Sequence, residues 1–464
     1  MATAPSIDTL ASNAWCGQAA SGPLAEGSLG WAMGRDLPRP GQGMAPEVVD
    51  LDDWRQEKVG WGVVLPEREV FPPADKAAGA DAPAPIRELM AERGHAPVLR
   101  WAPELKEGRL RRYASDGSFS EPSLRGPRGL AANAVPRYLL IVASPAEIPW
   151  HAQYRLQTDA FVGRLDLDEV GLARYVKALR GAWPGAARNV RQPLLWCVDH
   201  GHPDITRLMR KTIAEKLRDA FAADAEFAAG TAFLSDAQAT HAQLLAALGQ
   251  RQPAFVATSS HGATFPLDDP PAMRAQMGAL VDAAHTIGQA ELIAKAWNPR
   301  GAIWYAHACC SAGADAKSRF EGLVQAESTL GRTLGAIADA GACTAPLPRA
   351  LLGGENPLGA FIGHVEPTFD WTLRDPLTGQ ATSQHVIDAL YATLHLATRP
   401  TIGRAMSAYF NGVAGLLQDH ADALDAVDAQ EQGAVERARR TRLVANDRLA
   451  MVILGDPTVR LPLT

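Results

Sequence analysis

The chain of 464 residues is 47% hydrophobic and 21% charged, the balance of a globular protein with enough length for a large core. Its 45 basic and 51 acidic residues leave a formal charge of −6, and no basic stripe or aromatic RNA motif points to nucleic acid. No apolar run approaches the roughly 18 residues that cross a bilayer, so no membrane partner is expected.

The first eight residues carry neither a basic n-region nor an apolar h-region, so no signal peptide is expected. Five scattered cysteines (Cys16, Cys197, Cys309, Cys310 and Cys343) fit a reducing cytoplasm better than a disulfide framework.

Residues 1–130 are rich in Gly and Pro and read as an accessory or regulatory region folded onto the main domain. Within it, residues 59–66 form a strand candidate, and residues 72–85 have the Pro/Ala/Asp composition of a linker. From residue 131 to 464 the pattern changes. Apolar strand candidates at 138–143, 194–198, 254–259, 302–306, 360–363 and 451–454 alternate with helical stretches at 206–222, 239–248, 328–340 and 383–397. Near-continuous apolar strands separated by helices predict an α/β domain with a mostly parallel sheet flanked by helices on both faces. In such sheets the chemistry gathers at the carboxyl ends of the strands.

Two strand candidates stop at chemically capable side chains. Ala254-Phe-Val-Ala-Thr-Ser-Ser-His261-Gly262 delivers an imidazole, and Gly301-Ala-Ile-Trp-Tyr-Ala-His-Ala-Cys309-Cys310-Ser-Ala-Gly313 delivers a thiol 49 residues later. That interval matches the roughly 50 residues between base and nucleophile in one class of thiol protease. A nucleophilic thiol needs a nearby base and a small-residue loop through which a carbonyl can approach. His261 and Cys310 are therefore the candidate catalytic pair, with the Gly262 N–H as an oxyanion donor alongside that of Cys310.

Four segments carry a family resemblance. Leu139-Leu-Ile-Val-Ala-Ser-Pro-Ala-Glu-Ile-Pro149, Asp159-Ala-Phe-Val-Gly-Arg-Leu165, the His-Gly and Cys-x-x-Gly pair, and Leu454-Gly-Asp-Pro-Thr-Val-Arg-Leu461 occur in the order of the caspase-like cysteine peptidases. The likeness is closest to the gingipain-type branch and to bacterial CHAT-domain proteases, and it covers residue 137 onward. It implies a cysteine endopeptidase acting on protein or peptide substrates through a Cys-His dyad, without a cofactor or metal. It also implies a bacterial stress or antiviral setting in which an activating partner acts. His261 would protonate the leaving amine.

The adjacent cysteines leave two nucleophiles. Cys-x-x-Gly selects Cys310, whereas an Ala-Cys pattern selects Cys309 as the alternative, and strand alternation places the two thiols on opposite faces. Relatives of this kind often accept a basic P1 residue through an acidic pocket, and Asp159 and Asp315 are the S1 candidates. Trp150 and His151 are expected at the cleft wall; His364, Glu366 and Asp370 are expected at its rim or on the surface. Residues 436–442 read as a solvated helix face. A catalytically inert caspase-like scaffold that binds partners, and a thiol acyltransferase or amidase on a similar sheet, stand as rival readings.

Overall fold

The computed structural model describes residues 8–34, 49–94, 96–183 and 189–462. Its seventeen strands, in chain order, begin with β1 (Thr9–Trp15), β2 (Ala19–Pro23), β3 (Trp61–Pro66) and β4 (Val98–Trp101). Next come β5 (Arg112–Tyr113), β6 (Phe119–Ser120), β7 (Tyr138–Val142), β8 (Phe161–Leu165), β9 (Leu194–Cys197) and β10 (Ala232–Ser235). Around the candidate site lie β11 (Phe255–Ser259), β12 (Gly262–Ala263), β13 (Ile303–His307), β14 (Gly313–Ala314) and β15 (Cys343–Thr344). β16 (Ala360–His364) and β17 (Met451–Gly455) complete the set.

Ten strands make one sheet in the order β10-β9-β11-β13-β16-β17-β8-β7-β3-β4. β16 and β17 pair antiparallel, β17 meets β8 in parallel at the single register pair Leu454–Arg164, and every other ladder in this sheet runs parallel. Each residue of β7, β8, β11, β13, β16 and β17 is buried, as expected of strands covered on both faces. Trp61, Trp196 and Trp304 are fully buried within the main core.

The expected strands of the main domain all form, within one or two residues at their ends. The expected helices fare unevenly. The stretches at 206–222 and 383–397 are interrupted by π-helical turns, at Arg210–Ala214 and Asp388–Thr393. Of two long helices near the end, Ala434–Leu449 contains the helix face expected at 436–442, whereas Ile402–Asp428 was not anticipated. Neither was the edge strand β10, whose residues are only half-buried.

Segments of the expected accessory region, residues 1–130, join the main sheet directly. β3 and β4 extend the main sheet beside β7, and β1 pairs with β12 next to His261. No seam in the sheet falls at residue 130. The composition of residues 72–85 suggested a linker, but the helices Pro73–Ala78 and Ala84–Glu92 occupy this stretch. Both begin with Pro in the first turn, where its missing N–H costs nothing.

Two of the motif segments turn out to be one packing unit. A Cβ on Gly163 would fall 2.0 Å from the Gly455 carbonyl oxygen, so the backbones of β8 and β17 meet where only glycine fits. Asp456 is buried beside them and accepts hydrogen bonds from Trp61 Nε1 (3.1 Å) and Arg93 Nη1 (3.2 Å). The Val-Gly-Arg and Leu-Gly-Asp-Pro segments therefore hold the sheet together. They carry no reacting group.

Candidate active site

β11 and β13 are adjacent and in parallel register, with Ser259 opposite His307. Their carboxyl ends therefore deliver His261 and the Cys309–Cys310 turn to the same edge, as the two strand tips predicted. A Cβ on Gly262 would lie 1.9 Å from the Cys309 carbonyl oxygen. The segment bearing the imidazole thus lies directly on the segment bearing the thiols, and glycine is required for that approach.

The strand ends at His307, before the cysteines, so alternation does not separate the two thiols as expected. Cys310 adopts φ +53°, left-handed and uncommon for a residue with a side chain. A conformation of this kind costs on the order of 1–3 kcal/mol and persists only where surroundings impose it. Here Ser311 Oγ donates to the Ala306 carbonyl (3.1 Å) and accepts from the His364 N–H (3.1 Å), while the Cys310 N–H donates to the Glu366 carbonyl (3.1 Å). That last bond uses the N–H expected of Cys310 as a second oxyanion donor. In this conformation it is taken.

Cys309 Sγ donates to Cys310 Sγ at 3.5 Å. Burial, reinforced by the neighbouring Cys310 sulfur, pushes the Cys309 thiol well above its ordinary range. A thiol held protonated and donating to its neighbour argues against Cys309 as the attacking sulfur. Cys197 is driven up to about 12 and Cys343 to about 11, both mainly by burial.

A third residue stands behind the imidazole. Asp204 Oδ2 and Oδ1 lie 2.8 and 3.0 Å from His261 Nε2. Asp204 also caps the helix Ile205–Met209 by accepting from the Thr206 N–H. Burial opposes its ionisation, but the hydrogen bonds from His261 and Thr206 and the His261 charge outweigh that and hold the carboxyl down at about 2. An ionised Asp on Nε2 fixes the proton there and leaves Nδ1 as the basic nitrogen. That Nδ1 is buried and has no hydrogen-bond partner.

Asp204 was missed because no spacing rule links it to His261. Its signal was the polar run Asp199-His-Gly-His-Pro-Asp204 after β9, a third strand tip at the same sheet edge.

Aromatic rings cover the imidazole. Trp15 of β1 lies with its ring centroid 5.3 Å from that of His261, 5.9 Å from His200 and 4.9 Å from His285. His200 and His285 stack on each other at 4.2 Å. Burial, followed by the neighbouring His261 and His285, lowers His200 to about 4, so it is neutral at physiological pH. His261 and Cys310 are both 0% exposed.

The two S1 candidates part company. Asp159 precedes β8 and forms an ion pair with Arg155 (2.5 Å), accepting from Thr158 as well. β8 then runs five residues, about 15 Å, before reaching the edge where Trp150 Nε1 donates to the Ala314 carbonyl. Asp159 therefore belongs to the opposite end of the sheet, and its place in an S1 pocket is corrected. Asp315 follows β14 and is half-buried on the cysteine side, with burial raising its carboxyl against the pull of His151 and Arg319.

Trp150 is fully buried beneath β14, whereas His151 beside it is exposed. His364 and Glu366, expected at a rim or surface, are buried instead, Asp370 is half-buried, and burial lifts Glu366 to about 8. Residues 436–442 are helical, but Arg442 is buried against the Trp31 ring.

A cavity of about 970 Å³ opens beyond β15, lined by Asp166, Arg274, Asp339, Cys343 and Arg349 among others. Its wall, Cys343–Thr344, pairs with Gly313–Ala314 just past the cysteine turn. It therefore adjoins the candidate site without containing the dyad. No protein-family model matches the chain, and no curated protein matches it.

Proposed function

We propose that the chain is a cysteine endopeptidase of caspase-like type in which Cys310 is the nucleophile, His261 the base and acid, and Asp204 the residue that orients His261. The observation that carries this reading is the Asp204–His261 pair, which leaves a basic, unpartnered Nδ1 at the same sheet edge as a cysteine held at φ +53°. Strained backbone clusters at functional turns.

In the reaction, the Cys310 thiol gives its proton to His261 Nδ1 and Sγ attacks the scissile carbonyl carbon. The C–N bond breaks, the leaving amine takes the proton back from His261, and an acyl thioester remains. Water activated by His261 then splits the thioester and restores the thiol. Asp204 stays ionised throughout and stabilises the imidazolium.

With Asp159 at the far end of the sheet, a preference for basic P1 residues rests on Asp315 and on the acidic wall of the neighbouring cavity. Asp166 and Asp339 share that wall with Arg274 and Arg349. A cytoplasmic setting, a defence role and an activating partner remain part of the proposal through the family resemblance. No helix among the described residues is long and apolar enough to cross a membrane.

The rival scaffold reading draws on one observation, the complete burial of both reacting side chains. Fluorogenic peptides carrying Arg or Lys at P1 test the choice. Cleavage that is lost in Cys310→Ala and retained in Cys309→Ala supports the peptidase; absence of cleavage and of covalent labelling under every condition supports the scaffold.

A further inference from the structure

We infer that the amino-terminal hairpin β1–β2 is a displaceable plug, lying in the groove where an extended substrate segment would bind and keeping the enzyme latent. The inference rests on the peptidase reading for its consequence, though the plug itself is a statement about access to Cys310.

The groove has two hydrogen-bonding edges, and β1 uses both. On one side Ala14 and Trp15 register with Gly262 and Ala263, and the Thr264 N–H donates to the Trp15 carbonyl (2.9 Å). On the other, Ser12 bridges Phe369, the Asn13 N–H donates to the Thr368 carbonyl (3.2 Å), and the Thr368 N–H donates to Asn13 Oδ1 (3.2 Å). The groove's floor holds the dyad. Leu10 and Ala14 enter the same apolar cluster as Cys309 and Cys310, and the Trp15 ring covers His261. A protease that reads extended peptides offers them this kind of edge, because main-chain hydrogen bonds supply affinity independent of sequence. An outside strand gains the same bonds only if β1 leaves.

The hairpin is also built to leave. Asn13 Nδ2 and Thr368 Oγ1 are buried without partners, so the joint forgoes bonds that water or a better-matched strand would supply. β2 covers β1 on one edge, with alternate residues exposed, and is itself anchored at its end by the Gln325 N–H to the Pro23 carbonyl (3.1 Å) and the Ala25 N–H to the Leu323 carbonyl (3.1 Å), so the weak joint is that of β1 at residue 368. Elements with open edges and incomplete pairing detach below the global unfolding free energy. The groove further defines its occupant: an extended segment that places small or aliphatic side chains toward the cysteines and a flat ring against His261.

The test uses the full-length chain and iodoacetamide, with alkylation of each cysteine followed by peptide mass spectrometry. In the unmodified chain Cys310 should react at least tenfold more slowly than the partly exposed Cys343. Trp15→Ala should accelerate Cys310 at least tenfold and leave Cys343 unchanged, and amide exchange in the unmodified chain should show residues 10–15 opening before β13. An unchanged Cys310 rate in a folded Trp15→Ala protein overturns the plug. So does exchange of residues 10–15 only in step with β13, a readout that stands even where the variant fails to fold. Fast alkylation without peptide cleavage sinks the peptidase reading and leaves the plug standing. Peptide cleavage by the unmodified chain at the Trp15→Ala rate does the reverse.

Discussion

The carboxyl end of β8 and the carboxyl ends of β11 and β13 each present a buried ionisable side chain, yet they are finished differently. At β8, Arg164 donates from Nε to Gln153, from Nη1 to the Ala143 carbonyl and from Nη2 to the Ile148 carbonyl, and it stacks over Trp150 at 4.5 Å. Its nitrogens are all engaged by fixed partners, and its role is to join β7, β8 and the helix Trp150–Gln157. At β11 and β13 the arrangement is left open: His261 Nδ1 has no partner, and Cys310 sits in a left-handed conformation. A satisfied buried charge marks architecture. An unpartnered imidazole nitrogen and a strained cysteine at one sheet edge are what the proposed dyad would need.

The largest effect that would break this contrast is expected at Cys310. Cys310→Ala should lower peptide cleavage about 1,000-fold or more, measured as kcat/KM after the hairpin has been released, while Cys309→Ala should keep most of it. Asp204→Asn should follow with a loss of about 100-fold, concentrated in kcat, because the imidazole loses the charge that holds its tautomer. Gly262→Ala probes the contact between the two tips. The added methyl has no space against the Cys309 carbonyl, so a destabilisation of about 2–3 kcal/mol is expected in chemical denaturation.

A smaller effect concerns pH. Glu366, Asp370 and Asp447 are raised to about 8, 7 and 7 respectively, each chiefly by burial. A carboxyl raised in the folded state contributes stability that is fully present below its unfolded value and lost as pH rises through the folded one. The contribution of these three carboxyls should therefore decline from about pH 4.5 to pH 8, opposing the gain below about pH 6.5 from buried histidines such as His200, His307 and His395 whose pKa values are lowered. Glu366→Gln should raise the melting temperature at pH 8 relative to pH 5 by ~2 °C compared with the unmodified chain. The least change is expected at Asp159→Ala: less than about 1 kcal/mol in stability and no shift in P1 preference, since its partner Arg155 lies at the other end of the sheet.

What could be seen in advance followed from physical signals of different strength. The apolar strands at 138, 255, 303, 360 and 451 were legible because a strand buried on both faces has little freedom in composition. That His261 and the Cys309–Cys310 turn share one sheet edge was legible because both follow such strands. Asp204 was not, since a carboxylate at a helix cap looks the same whether or not an imidazole stands opposite it. The role of β1 was hidden for another reason. Leu10-Ala-Ser-Asn-Ala-Trp15 is short and weakly patterned, and its partners at 262–263 and 368–369 lie hundreds of residues away. The composition of residues 72–85 misled because Pro and Ala serve the first turns of short helices as readily as they serve linkers.

The most direct measurement is covalent labelling of Trp15→Ala with a peptidyl acyloxymethyl ketone, read by intact mass and peptide mapping. The account predicts one adduct, located on Cys310 and suppressed by His261→Ala. A protein that stays unlabelled at Cys310 while folded, or that labels there equally well without the imidazole, contradicts it.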